Sequence, residues 1–367
     1  MTSSPCCKRS QKTFSERGST GAKLHEPVAS SEDEVVPTIT TVARLANVSV
    51  ASASRVLNGI RTSPATLERV TAAAESVGYV PNAAARSLRS RRTGQIAFAM
   101  PDVGNPVYTA MVASIQEVTR VAGVRLLLHS TGADSDDELA MIRDLRHRHV
   151  DGLILACLHV TQEHAAELST SAAPVVVIGR PPTETSVDTV RAYSRRGAAE
   201  AIRHLHAVGR TRIAFVNGPT HTVSGSSRRR GYLDGLRSCG LPRDEELIEV
   251  AGDFMVEPGR RAAELLLERV QPDAILCAND LLAVGVLATL RDAGLDVPDD
   301  VALVGMDNSE LSALTWPALT TVDLGSSERA RLAAMLLLAR IEQPGREVQV
   351  VGVEPRLVVR ASSGTPA

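Results

Sequence analysis

The amino-acid sequence predicts two kinds of fold in one chain: a short all-α block near the N-terminus, then a long α/β region of parallel sheets with helices on both faces. Three observations carry this. Apolar residues make up 44% of the 367 positions but aromatics only 2%, so the cores must be built from Ala, Val, Leu and Ile, as helices on parallel sheets are. Cap and turn signals crowd the stretch 38–81, whereas beyond Gln95 short β-rich apolar runs alternate with amphipathic helices. The charge is also divided: the formal −2 splits into a neutral 1–37, +6 over 38–92 and −8 over 93–367, so one short segment is suited to approach a polyanion.

Residues 1–37 carry Ser, Thr, Lys, Glu and Pro with no apolar period, which predicts a disordered extension; the vicinal Cys6 and Cys7 within it are read as plain thiols. Thr38 can cap a helix through Ala46 with Val42, Leu45 and Ala46 on its inner stripe, and Asn47 suits a tight turn. Ser49 caps a second helix that ends at Asn58-Gly59, and Ser63-Pro64 opens a third with Leu67, Val70, Ala74 and Val77 inward. Three short helices joined by turns predict a helix-turn-helix unit over 38–81. Its second helix shows Val50, Ala51, Ser52, Ala53 and Ser54 and then Arg55: side chains this small let a helix lie deep in a major groove, and Arg55 supplies charge. Pro81 then breaks the helical pattern. The segment 82–92 is too short to be a stable helix alone, so it should fold only when docked, and its four Arg point to a phosphate backbone.

From 93 to 367 strands are predicted at 95–100, 125–129, 152–157, 174–178, 212–217, 274–278, 301–306 and 320–324, all read as buried, with helices such as 111–122, 195–208 and 258–270 between them. Ligands of such sheets sit at the carboxyl ends of the strands, where Asp102 and Asn105, Arg180, Asn279 and Asp280, and Asp307 and Asn308 fall. No apolar run is long enough to span a membrane and no leader is recognisable, so a cytoplasmic protein is expected. Five Cys without a CxxC spacing predict free thiols, with neither a metal site nor a cofactor.

These residues are recognisable together. Val48-Ser-Val-Ala-Ser-Ala-Ser-Arg-Val-Leu-Asn58, Gly78-Tyr-Val-Pro-Asn82 and Ala85-Arg-Ser-Leu88 resemble the DNA-binding headpiece and hinge helix of the LacI/GalR family of bacterial transcription regulators. The similarity continues through Pro101-Asp-Val-Gly-Asn-Pro106, Val150-Asp-Gly-Leu-Ile154, Cys277-Ala-Asn-Asp280, Gly305-Met-Asp-Asn308 and Pro317-Ala-Leu-Thr-Thr-Val322. The resemblance implies a helix-turn-helix headpiece at 38–81, a hinge helix at 82–92, and at 93–367 a two-lobed α/β effector domain of the periplasmic-binding-protein kind that also dimerises. It implies a homodimer on a palindromic double-stranded operator, acting as a repressor, with a small effector held between the lobes. DNA contacts are then expected from Thr38, Ser49, Val50, Ala51, Ser52, Arg55 and Asn58, and from Asn82, Ala85, Arg86, Leu88 and Arg89 of the hinge, where Leu88 matches the leucine wedged into the minor groove. Effector contacts are expected from Asp102, Asn105, Tyr108, Arg180, Tyr193, Arg228, Phe254 and Asp280.

Departures from the family pattern bear on the ligand. Gly179-Arg180 lacks the usual Asp before its Arg, and Tyr193-Ser194 stands where Asp-Asn is normal, so no particular sugar follows, only a polar, carbohydrate-like or nucleoside effector. The C-terminus has no heptads, which favours a dimer over a coiled-coil tetramer. Plainer roles compete: Asp280 as a helix cap, Tyr108 and Phe254 as loop packing, Leu88 as a core residue, and Trp316 as structural. Against an enzyme, there is no nucleophile elbow, P-loop, HExxH or GxGxxG after a strand, and a lone Asp280 as base, without a paired acid or metal, makes a poor active site; a transported-solute receptor of the same fold would need a leader.

Overall fold

A computed structural model describes residues 37–80, 92–156, 158–159, 161–181 and 185–364. They divide into two units, one within 1–81 and one within 82–367. The hinge candidates Asn82, Ala85, Arg86, Leu88 and Arg89 lie outside the described residues, as do 1–36 and Cys157.

In the first unit helix α1 spans Ile39–Leu45, α2 spans Val50–Leu57 and α3 spans Pro64–Ser76. Local chemistry sets each boundary. Thr38 forms a capping box with Thr41, and Ser49 accepts the Ser52 amide at 3.1 Å. Between them Asn47 takes φ 52°, the left-handed geometry Asn tolerates. Pro64 opens α3 where its missing N–H costs nothing, although Ser63 makes no side-chain cap. The core is Val42, Ala43, Ala46, Ala53, Val56, Val70, Ala73 and Ala74. Two expected core residues are outside it: Leu45 is 48% and Leu67 50% exposed, because Ala43 and Ala73 take the inward positions where small side chains let three helices approach closely.

The second unit holds two six-stranded sheets. In chain order the strands are β1 Gln95–Met100, β2 Arg125–Ser130, β3 Leu153–Ala156, β4 Val175–Ile178, β5 Asp188–Ala192, β6 Ile213–Asn217, β7 Ile248–Val250, β8 Ala274–Cys277, β9 Ala302–Met306, β10 Thr320–Asp323, β11 Val350–Val353 and β12 Arg356–Val358. The first sheet runs β2-β1-β3-β4-β5-β11, all parallel; the second runs β7-β6-β8-β9-β10-β12, parallel except for β12. The chain passes between lobes three times: after β5, after β10 into the helix Ser326–Glu342 that packs on the first sheet, and between β11 and β12. Each order reverses once, between β1 and β3 and between β6 and β8, and such switch points open a crevice at the strand carboxyl ends.

The apolar β1, β3, β4, β6, β8 and β9 are buried almost throughout. The strand expected at 125–129 is not: Leu127 and Leu128 are 43% and 49% exposed, because β2 is an edge strand paired only with β1. Strands β5, β7 and β12 carry no apolar run of four residues, and β11, although it reads Val-Val-Gly-Val, is only half-buried; β7, β11 and β12 are all sheet edges. In β5 the charged Asp188 is buried because Arg340 meets it in a fork at 2.9 and 3.0 Å. Trp316, expected to be structural, is 94% exposed.

Candidate functional site

Helix α2 presents one unsheltered face. Ala51, Arg55 and Asn58 recur at i, i+4 and i+7 and are exposed, with Val50 beside them 39% exposed, while Ala53 and Val56 on the opposite face pin the helix to α1 and α3. Four expected DNA-contacting side chains already serve the fold: Thr38 in its capping box with Thr41, Ser49 and Ser52, which share a hydroxyl hydrogen bond at 2.9 Å, and Asn58, which donates its amide to the Ser54 carbonyl at 2.7 Å. Of the seven expected contacts in this unit, Val50, Ala51 and Arg55 have exposed side chains with no hydrogen bond or ion pair among the described residues.

The second unit contains a cavity of about 410 Å³ where the carboxyl ends of both sheets converge. The first sheet brings Asp102 and Asn105 from the turn after β1 and Tyr108 from the helix Pro106–Val121; the second brings Arg228, Phe254, Asn279 and Asp307, and Arg329 enters from the crossover helix. Their placement follows from turn chemistry. Asp102 accepts the Gly104 amide at 2.7 Å, and Asn105 caps its helix by accepting the Val107 amide at 3.1 Å. Asn279 joins two elements, capping the helix Asp280–Asp292 through the Leu282 amide at 2.9 Å and donating to the Phe254 carbonyl at 2.9 Å. Phe254 lies over Gly218, where any side chain would collide with its ring.

Charge in the cavity is concentrated in one buried pair. Arg228 meets Asp307 at 3.3 Å, with both side chains 9% exposed, and its guanidinium stands 5.7 Å from the Phe254 ring centre. Burial pushes the Asp307 carboxyl up, and the Arg228 and Arg329 charges pull it back. Burial and then the Asp307 charge push the Tyr108 hydroxyl up, so it remains a donor at neutral pH. Asp307 itself sits at φ 112°, a backbone geometry L-residues rarely adopt, of the kind that clusters at ligand sites. The arrangement offers a cation, carboxylate and amide acceptors, and two rings, a set that can grip hydroxyls and stack on a ring.

Of the expected effector residues, Asp102, Asn105, Tyr108, Arg228 and Phe254 therefore line one cavity, and Arg180 and Tyr193 line a neighbouring one that shares Arg228. Asp280 lines neither. Its carboxylate turns under β9 and β10, accepting from the Ser309 amide at 2.7 Å, the Ser309 hydroxyl at 2.9 Å and Thr321 Oγ1 at 2.5 Å, over Gly305, where a side chain would strike it. The helix cap is Asn279, and the cavity's buried carboxylate is Asp307. Arg329 had no local signal, because it reaches the site from within a helix belonging to the other lobe.

Comparison with known proteins agrees with both units. The model of the bacterial regulatory proteins of the lacI family matches residues 38–82, and that of the periplasmic binding protein-like domain matches 202–363. Catabolite control protein A of Priestia megaterium is 32% identical over 330 residues, covering 89% of this chain and 99% of that protein. Among solved structures, the transcriptional regulator CelR in complex with cellobiose matches with TM-score 0.69 at 33% identity, and the lac repressor dimer bound to operator and the anti-inducer ONPF with 0.79 at 25%; each alignment covers 89% of this chain and 99% of the other. Likeness of this extent, running through the helix-turn-helix unit and both sheets, places the chain in the LacI family of bacterial regulatory proteins, as a DNA-binding transcriptional regulator.

Proposed function

We propose that the protein is a homodimeric repressor of a palindromic operator, and that a small hydroxyl-rich effector, a sugar or nucleoside, controls its DNA affinity from the 410 Å³ cavity. The observation that carries this reading is the divided lining: Asp102, Asn105 and Tyr108 come from one sheet, and Arg228, Phe254 and Asp307 from the other. A ligand touching both binds one lobe arrangement better than another, and it can shift the regulator only by that difference in affinity. The relative solved with cellobiose and the dimer solved with operator are consistent with this reading. Exposed Leu127, Leu128, Leu314 and Trp316 supply apolar surface of the kind self-association covers. Among the described residues no helix is long and apolar enough to cross a membrane, and the proposed place of action is the cytoplasm, on the nucleoid. The effector is held there without turnover, as a signal and not a substrate.

The hinge role of Asn82, Ala85, Arg86, Leu88 and Arg89 belongs to the same proposal. A panel of sugars and nucleosides, scored first by thermal shift of the full chain and then by operator titration, tests the reading. One or more should raise the melting temperature and change operator affinity about tenfold, a coupling near 1.4 kcal/mol. A ligand that binds in the cavity and leaves operator affinity untouched would overturn the regulatory part.

A further inference from the structure

Beside the effector cavity lies a second, larger one of about 810 Å³, and the two share the walls Gly179, Val223, Ser224, Arg228 and Arg329. Its chemistry is unlike the rest of the unit. Residues 93–367 carry a net −8, yet seven arginines and only two carboxylates line this space. Arg195 pairs with Asp234 at 2.5 Å, Arg196 with Glu354 at 2.8 Å, and Arg228 reaches out to Asp307. Among the described residues Arg180, Arg191, Arg230 and Arg329 have no carboxylate in ion-pair range. The Nε atoms of Arg191 and of the buried Arg228 are sequestered from water and have no hydrogen-bond partner among the described residues.

Two helix starts point the same way. The helices Ser194–Ala207 and Val223–Ser238 both turn their first residues into this space, and the first has no side-chain cap. Ser194 Oγ donates to Ser227 Oγ at 3.1 Å and ties the two starts together. Uncapped amide donors at the positive end of a helix favour an anion, and guanidinium forks match the paired oxygens of phosphate better than they match a hydroxyl. Crowding like charges with buried unpaired donors is unfavourable until an anion arrives, which makes the site selective for one.

We propose that the effector is anionic, a phosphorylated sugar whose ring lies in the smaller cavity against Phe254 and Tyr108 and whose phosphate is held in the larger one by Arg180, Arg191 and Arg230. The inference rests on the effector reading above and narrows it from polar to phosphate-bearing. The full chain is titrated by calorimetry with hexoses, with the same hexoses as phosphate esters, and with inorganic phosphate as a ring-free probe. The esters should bind at least about tenfold more tightly than their parents. Inorganic phosphate should bind saturably, and the double variant Arg191→Gln/Arg230→Gln should weaken it by a similar factor while Arg191→Lys/Arg230→Lys keeps part of the affinity. Wild-type protein that does not bind inorganic phosphate, or binds bare hexoses as tightly as their esters, overturns the inference; in the second case the effector cavity stands as proposed. If phosphate binds and no hexose in either form does, the anion site stands and the sugar reading falls.

Discussion

Two aspartates that follow the neighbouring strands β8 and β9 carry different tasks, and substitution separates them. Asp280 gathers three donors beneath β9 and β10, so Asp280→Ala strands the Ser309 amide and the Thr321 hydroxyl; the expected loss is about 2 kcal/mol in chemical unfolding, with ligand affinity kept. Asp307→Ala instead leaves Arg228 buried without its partner inside the cavity, so ligand affinity falls along with about 3 kcal/mol of stability. Equal ligand losses in the two variants would show that Asp280 belongs to the site after all. Asp280 also has a pH signature. Burial, and next the Asp307 charge, raise its carboxyl from 3.8 to about 7, so the folded state holds this proton more tightly than the unfolded chain does. Between those values the group's contribution to stability therefore falls as pH rises. Urea midpoints across this range should show such a slope in wild type and lose it in Asp280→Asn; parallel profiles would mean the carboxylate is already ionised in the fold.

At the scale of elements, α2 does its work through an exposed face backed by a buried one. Arg55→Ala should weaken operator binding by about 1–3 kcal/mol without moving the melting temperature, whereas Ser49→Ala should cost about 1 kcal/mol of stability through its cap. Electrophoretic mobility shifts beside thermal melts check both, and an early-melting Arg55→Ala would make that residue structural. The same local chemistry explains why α1, α2 and α3 were legible: Thr38, Asn47 and Ser49 act within four residues of themselves. Leu45 and Leu67 were misplaced because the apolar period fits either of two adjacent stripes, and the close approach of three helices selects the one bearing alanine. In the larger unit the residues after β1 were legible because strand ends are where ligands gather. Asp280 was not, since sequence cannot say which side chain of Asn279-Asp280 caps the helix and which turns beneath the sheet. Arg329, and the Asp188–Arg340 pair 152 positions apart, depend on chain crossings that leave no local trace.

The whole molecule couples a basic segment of +6 to an acidic remainder of −8, so its attraction to DNA is concentrated near one end of the chain. Counterion release should dominate affinity, and log K should fall linearly with log salt with a slope near −0.9 for each phosphate neutralised. A flat salt response from low to physiological ionic strength would contradict that. The most direct test of the account is selection of DNA from a random pool by the full chain, followed by titration of the enriched sequence by fluorescence anisotropy with and without a cavity ligand. The account predicts an enriched palindrome, bound by two chains, whose affinity the ligand changes about tenfold in wild type and leaves unchanged in Asp307→Ala. Enrichment of no sequence, or ligand control that survives intact in Asp307→Ala, would contradict it.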